Sequence, residues 1–112
     1  MTVNISRDNA FEGYTIFNHN LVYKGYQCYM GGCLHINGKI KIYGNGIAVS
    51  RDLSNMLQGA LYTDSISSID RICLVKAYGI TKGYINGYDP VTVSDIQLIK
   101  EIDWQALINN NQ

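Results

Sequence analysis

The chain holds one proline, one tryptophan, two histidines and three cysteines in 112 residues, and charged side chains make up only 16% of it. Each scarcity excludes something. With Pro90 alone, no proline-rich linker divides the chain into parts. Cys28, Cys33 and Cys73 are odd in number, and the nearest two have four residues between them, so a secreted disulfide framework is not encoded. Nine basic residues balance nine acidic ones in scattered positions, so bulk charge does not encode diffuse capture of nucleic acid or of an anionic membrane. No stretch approaches the roughly 18 continuous apolar residues that span a bilayer. The first thirteen residues carry Arg7, Asp8 and Glu12 and no apolar run of signal-peptide length, so the expected location is the cytoplasm and no membrane partner is expected.

What is present is apolar residues at 46%, together with 11 glycines, 11 asparagines and nine tyrosines that keep the surface wet in place of charge. The length accommodates one domain over residues 1–112 that buries roughly two thirds of its unfolded surface, with residues 1–12 and 109–112 expected to be flexible.

The pattern along the chain predicts an α+β domain: a mainly antiparallel sheet of five to six strands, one principal helix at about 52–62, and a short C-terminal helical turn. Met1 to Phe11 reads as a polar arm, Tyr14 to Phe17 as a first strand, and Tyr23 to Tyr29 as a second with aromatic residues on both faces. Around Asn37-Gly38 a two-residue loop would place Ile36 and Leu34 beside lysines. A three-residue bulged connection pairs Ile36 with Ile40 and Leu34 with Ile42, and sets Cys33, His35, Lys41 and Tyr43 on the other face. Ile47 to Val49 reads as a short strand after the Gly44-Asn45-Gly46 turn. Ser50 and Asp52 are candidate N-caps for a helix whose apolar positions are Leu53, Met56, Leu57, Ala60 and Leu61. Arg71 to Tyr78, apolar on both faces, reads as a central strand. Gly79 to Pro90 is expected to hold a hairpin or mobile loop, Thr92 to Ile102 a strand, and Asp103 to cap a last turn at Trp104 to Ile108.

The order Lys24-Gly25-Tyr26-Gln27, Gly31, Gly38-Lys39-Ile40-Lys41-Ile42, Gly46, Val75-Lys76-Ala77-Tyr78-Gly79, and then the run from Val91 to Ile102 resembles a family of small proteins of unassigned function common in phage and prophage genomes. The likeness runs from about Tyr14 to Ile102. Where that family carries G-F-H-F-C, this chain has Gly46-Ile47-Ala48-Val49-Ser50, so no chemistry resting on that His or Cys is carried over. The resemblance implies a phage-type accessory role in the cytoplasm of a bacterial host.

No complete catalytic constellation emerges from the residues, and no enzymatic activity, cofactor or metal is expected. Cys28, Cys33, His35 and His19 are zinc-ligand types, but Cys33 and His35 lack the usual spacing, and free thiols are the plainer reading. Gly44-Asn45-Gly46 lacks the Lys-Ser/Thr of a phosphate loop and precedes a strand, so it reads as a turn. By fold analogy alone, Gly46 to Tyr62 is similar to an element of ADP-ribosyltransferase-like folds. A degenerate enzyme of that kind, with His19 and Glu101 as its loose candidates, is one alternative. A nucleic-acid-binding module using Lys24, Lys39, Lys41 and Tyr43 beside His35 is another. The edge strands carry few charges, which leaves self-association open. The composition fits protein binding best, because tyrosine gives large contact area at low entropic cost. The leading expectation is a non-enzymatic protein that binds a host or bacterial protein, such as a CRISPR effector, through Tyr26, Tyr29, Lys41, Tyr43, Tyr84 and Tyr88.

Overall fold

A computed structural model describes residues 2–5, 10–83 and 90–109. It is an α+β fold with strands β1 (Thr2–Ile5), β2 (Phe11–Phe17), β3 (Val22–Tyr23), β4 (Tyr26–Gln27), β5 (Cys33–His35) and β6 (Ile47–Val49) before the first helix. Helix α1 (Leu53–Tyr62), strands β7 (Arg71–Lys82) and β8 (Val91–Ile102), and helix α2 (Trp104–Asn109) follow.

The antiparallel pair β7–β8 is the spine, and each of its outer edges is shared by two short strands. β1 pairs with residues 79–82 of β7 and β2 with residues 71–77. β6 pairs with residues 91–93 of β8 and β5 with residues 95–97. Register shifts after Leu74 and after Tyr78 bend this spine, as an extra residue in one strand of a pair does. The curled sheet meets itself. Tyr14 in β2 and Ser50, just after β6, exchange both backbone hydrogen bonds, at 2.7 and 2.9 Å, completing a ring of pairings through β2, β7, β8 and β6. Gly13 permits this closure, because a Cβ there would stand 2.5 Å from Val49 Cγ1 and 2.7 Å from the Ser50 carbonyl oxygen.

Side-chain alternation sorts the apolar residues into two clusters. Phe17, Val49, Cys73, Val75, Ala77, Val93, Ile96 and Leu98 fill the inside of the curl with Ile36 and Ile40. On the other face of β2 and β7, Tyr14, Ile16 and Ile72 pack with Leu57 and Ala60 of α1, with Ile66 and with Trp104 of α2. Both faces of β7 carry buried residues, as its sequence implies, although Lys76 is exposed. Asp52 caps α1 by accepting from the Asn55 N–H at 2.9 Å, and Asp103 accepts from the Ala106 N–H at 3.2 Å at the start of α2.

Three expectations are corrected. Part of the polar arm is strand: β7 runs four residues beyond Tyr78, and Thr2–Ile5 pairs along that extension. The strand expected over Tyr23 to Tyr29 breaks at Lys24 and Gly25, whose φ angles of 48° and 88° fold it into the tiny β3–β4 hairpin. No hairpin forms about Asn37-Gly38, so neither the two-residue nor the three-residue loop occurs. β5 and β6 each take β8 as their partner, and residues 36–46 loop between them. Ile36 and Ile40 are still buried, but Ile42 is exposed, and Lys41 and Tyr43 lie in a turn. Tyr84, Tyr88 and the hairpin expected around them lie outside the described residues, as do residues 110–112.

Candidate binding surface

The 41–46 turn is built by its own backbone and anchored by neighbours. The Lys41 N–H donates to the Asn45 carbonyl and the Gly44 N–H to the Lys41 carbonyl, both at 2.9 Å. The Asn45 amide reaches back to the carbonyls of Asn37 at 2.9 Å and Lys39 at 3.1 Å, which fixes the loop's base. Gly46, at φ 135°, lets the chain pass under Thr92 and Ile40 into β6, where a side chain would collide with both.

Lys24 then joins this turn to the β3–β4 hairpin. Its Nζ donates to the Gly44 carbonyl at 2.8 Å and the Gly46 carbonyl at 3.3 Å, and lies 5.6 Å from the centroid of the Tyr23 ring. Beneath it, the Tyr23 hydroxyl accepts from the Ala48 N–H at 2.8 Å, and burial raises the Tyr23 pKa above its ordinary value against the opposing effect of that bond. The Thr15 hydroxyl donates to the Ala48 carbonyl at 3.0 Å. The outward backbone groups of Ala48 are thus satisfied by side chains, so the outer edge of β6 is closed to a further strand there.

Three of the expected contact tyrosines are largely exposed: Tyr26 in β4 at 47%, Tyr29 in the segment after it at 68%, and Tyr43 in the 41–46 turn at 76%. Met30 is exposed beside Tyr29 in sequence. Tyr43 also sits at φ 59°, the left-handed region that a bulky residue enters only at a cost. Lys41 is exposed in the same turn. Tyr62, at 93% exposure the barest aromatic described, ends α1 and lines one cleft with Tyr43. The helical pattern marks α1's buried side, and a residue after Leu61 falls off it; that was the available signal for Tyr62. A separate apolar groove of about 540 Å³ runs between α1 and α2, lined by Leu53, Leu57, Leu61, Leu107 and Ile108.

The other candidate constellations have specific neighbours. His35 places Nδ1 2.7 Å from Asp95 Oδ1 and Nε2 3.0 Å from Asn37 Oδ1, so its ring links β8 to the start of the loop. Asp95 also accepts from the Ser94 hydroxyl at 2.6 Å, which in turn accepts from the Ile80 N–H at 2.9 Å across the β7 irregularity. Cys33 is exposed on the same strand, but Asn37, rather than the thiol, occupies His35 Nε2. Cys28 is buried with its pKa raised by desolvation, and Cys73 is buried and pushed up to about 11 by desolvation and then by Glu101. No group of three or more His, Cys, Asp or Glu side chains converges as a metal site among the described residues.

Glu101 receives Arg71 through two bonds, Nε at 3.1 Å and Nη2 at 2.5 Å, while Arg71 Nη1 donates to the His19 carbonyl at 3.4 Å. That hydrogen bonding holds the Glu101 carboxyl below its ordinary value and raises Arg71. Both Glu101 oxygens are therefore occupied by one guanidinium, which reaches His19 only at its backbone carbonyl. Of the basic patch, Lys24 is spent on backbone carbonyls, whereas Lys39 and Lys41 are exposed. Among the described residues no helix is long and apolar enough to cross a membrane. Comparison with protein-family models, with curated proteins and with solved structures gives no match.

Proposed function

We propose that the chain is a small phage-type accessory protein that binds a bacterial host protein and blocks a host defence system, such as a CRISPR effector, by occupying a working surface. One observation carries the binding half of this reading. Tyr26, Tyr29 and Tyr43 all stand largely in solvent, Lys24 ties the hairpin that carries Tyr26 to the turn that carries Tyr43, and Tyr43 is held there in a strained backbone conformation. The Tyr43 side chain is mostly in water, so packing among the described residues returns little for a large ring there. Strain held for little structural return is the pattern expected of a recognition residue. Large rings on a rigid frame give contact area with little ordering cost. The host-defence half rests on the sequence resemblance and on the small size of the chain.

The test has two parts. The immobilised chain is expected to retain one stoichiometric protein from nuclease-treated lysate of a CRISPR-immune bacterium, and its expression is expected to restore plaquing by a phage that the strain otherwise restricts. Retention abolished by nuclease would favour the nucleic-acid reading. Unchanged restriction in every immune strain tested would remove the defence-inhibitor reading.

A further inference from the structure

We propose that Asn37 is a site of self-modification, assisted by His35, at which the Gly38 backbone nitrogen closes on the asparagine side chain and aspartate and isoaspartate result. The chain holds three Asn-Gly pairs, Asn37-Gly38, Asn45-Gly46 and Asn86-Gly87, the last outside the described residues. Glycine suits this cyclisation because no Cβ hinders the approach of its nitrogen. The fold treats the two described pairs differently.

Asn37 and Gly38 are both exposed, and the Gly38 N–H makes no hydrogen bond among the described residues. Asn37 Oδ1 lies 3.0 Å from His35 Nε2, while His35 Nδ1 lies 2.7 Å from Asp95 Oδ1. As the imidazolium, the ring donates to both. Asp95 is fixed in turn by the buried Ser94, whose hydroxyl donates to Oδ2 at 2.6 Å. A donor is thus set on the one oxygen that gains negative charge when nitrogen adds to Asn37 Cγ, as an oxyanion donor is. Asp95 acts through the ring, as a positioning residue.

In the reaction, the Gly38 N–H proton passes to water as the nitrogen bonds to Asn37 Cγ. The Cγ–Nδ2 bond then breaks, and Nδ2 takes a proton from water and leaves as ammonia. Water opens the resulting cyclic imide at either carbonyl. One opening gives aspartate, the other isoaspartate, whose main chain runs through the former side chain.

Asn45 is held against the same chemistry. Its Nδ2 donates to the carbonyls of Asn37 at 2.9 Å and Lys39 at 3.1 Å, so losing that nitrogen would cost two bonds, and Gly46 is buried. The Asn37 carbonyl that Asn45 grips is the one that isoaspartate displaces. Conversion at Asn37 therefore loosens the base of the 41–46 turn and, on the protein-binding reading above, ages the surface that carries Tyr43. The reaction itself needs no partner.

The test incubates the full chain at neutral pH, native and unfolded in guanidinium chloride, and follows each asparagine by peptide mapping with mass spectrometry. Asn37 in the native chain is expected to convert at least about tenfold faster than Asn45, and about tenfold faster than Asn37 in the unfolded chain. His35→Leu, at an exposed position, is expected to remove that advantage in the native chain and to change nothing in the unfolded one. Asp95→Asn is expected to slow Asn37 likewise and to abolish the downfield proton resonance of His35 Nδ1, which a loss of packing elsewhere would leave in place. A native rate at Asn37 no higher than the unfolded rate overturns the proposal, as does earlier conversion of Asn45 or a native rate unchanged by His35→Leu. An unchanged rate in Asp95→Asn overturns the positioning role. Converted protein is expected to lose hydrogen-exchange protection at the Lys41 and Gly44 N–H groups, and retained protection overturns the link to the turn.

Discussion

Tyr43 combines three properties that rarely coincide: a left-handed backbone, an aromatic side chain and a ring mostly in water. Asparagine tolerates that backbone far better, so Tyr43→Asn is expected to raise stability by about 0.5–1 kcal/mol in denaturant unfolding while weakening partner binding. A loss of stability would show that the ring is a packing element. The thiols give a second check at this scale. Cys33 is exposed, whereas Cys28 and Cys73 are buried. A thiol reagent should therefore titrate one group in the native protein and three after unfolding, with the Cys73 thiol the hardest to ionise. The sequence marked Tyr26, Tyr29 and Tyr43 by type and number alone. It could not mark the left-handed turn at Tyr43, because Ile40, Ile42 and the intervening lysine alternate as a strand would.

At the scale of elements, β2, β6, α1, β7, β8 and α2 were legible, because each has a local signal: alternation, a capping aspartate, or apolar residues at helical spacing. The loop from 36 to 46 was not. Its alternation satisfies a hairpin, and what overrides it is a distant partner, since β5 and β6 both find β8 more than 40 residues later. The Arg71–Glu101 pair joins β7 to β8 across the end of the spine and supplies a pH-dependent term. The folded Glu101 pKa is depressed, so its stabilisation is present above the unfolded carboxyl value and is lost as pH falls through the folded one. Both partners are substantially solvent-exposed, which limits the effect. Glu101→Gln should cost about 0.5 kcal/mol at neutral pH and progressively less as pH falls below the ordinary carboxyl range, measured as paired urea midpoints.

Across the whole molecule, the curl of the sheet decides where the tyrosine loops stand. Closure of β2 onto Ser50 holds β6 in place, β6 carries Gly46 and Ala48, and these receive Lys24 and Tyr23 from the β3–β4 hairpin. Gly13→Ala is expected to break that closure and cost about 2 kcal/mol or more through the collision with Val49 and Ser50, with hydrogen exchange rising at Tyr14 and Ser50. Unchanged protection there would mean that the ring is not what positions the loops. This closure was hidden in the sequence because Gly13 and Val49 are ordinary residues, and only the bend of β7–β8 brings them together.

Binding through the tyrosine loops is tested most directly by the affinity of the retained partner for the Tyr26→Ala/Tyr29→Ala/Tyr43→Ala variant, with circular dichroism confirming its fold. The expected result is a loss of at least about a hundredfold, since a few aromatic anchors dominate such interfaces. An affinity within about twofold of wild type, in a folded variant, would contradict a binding role for this surface.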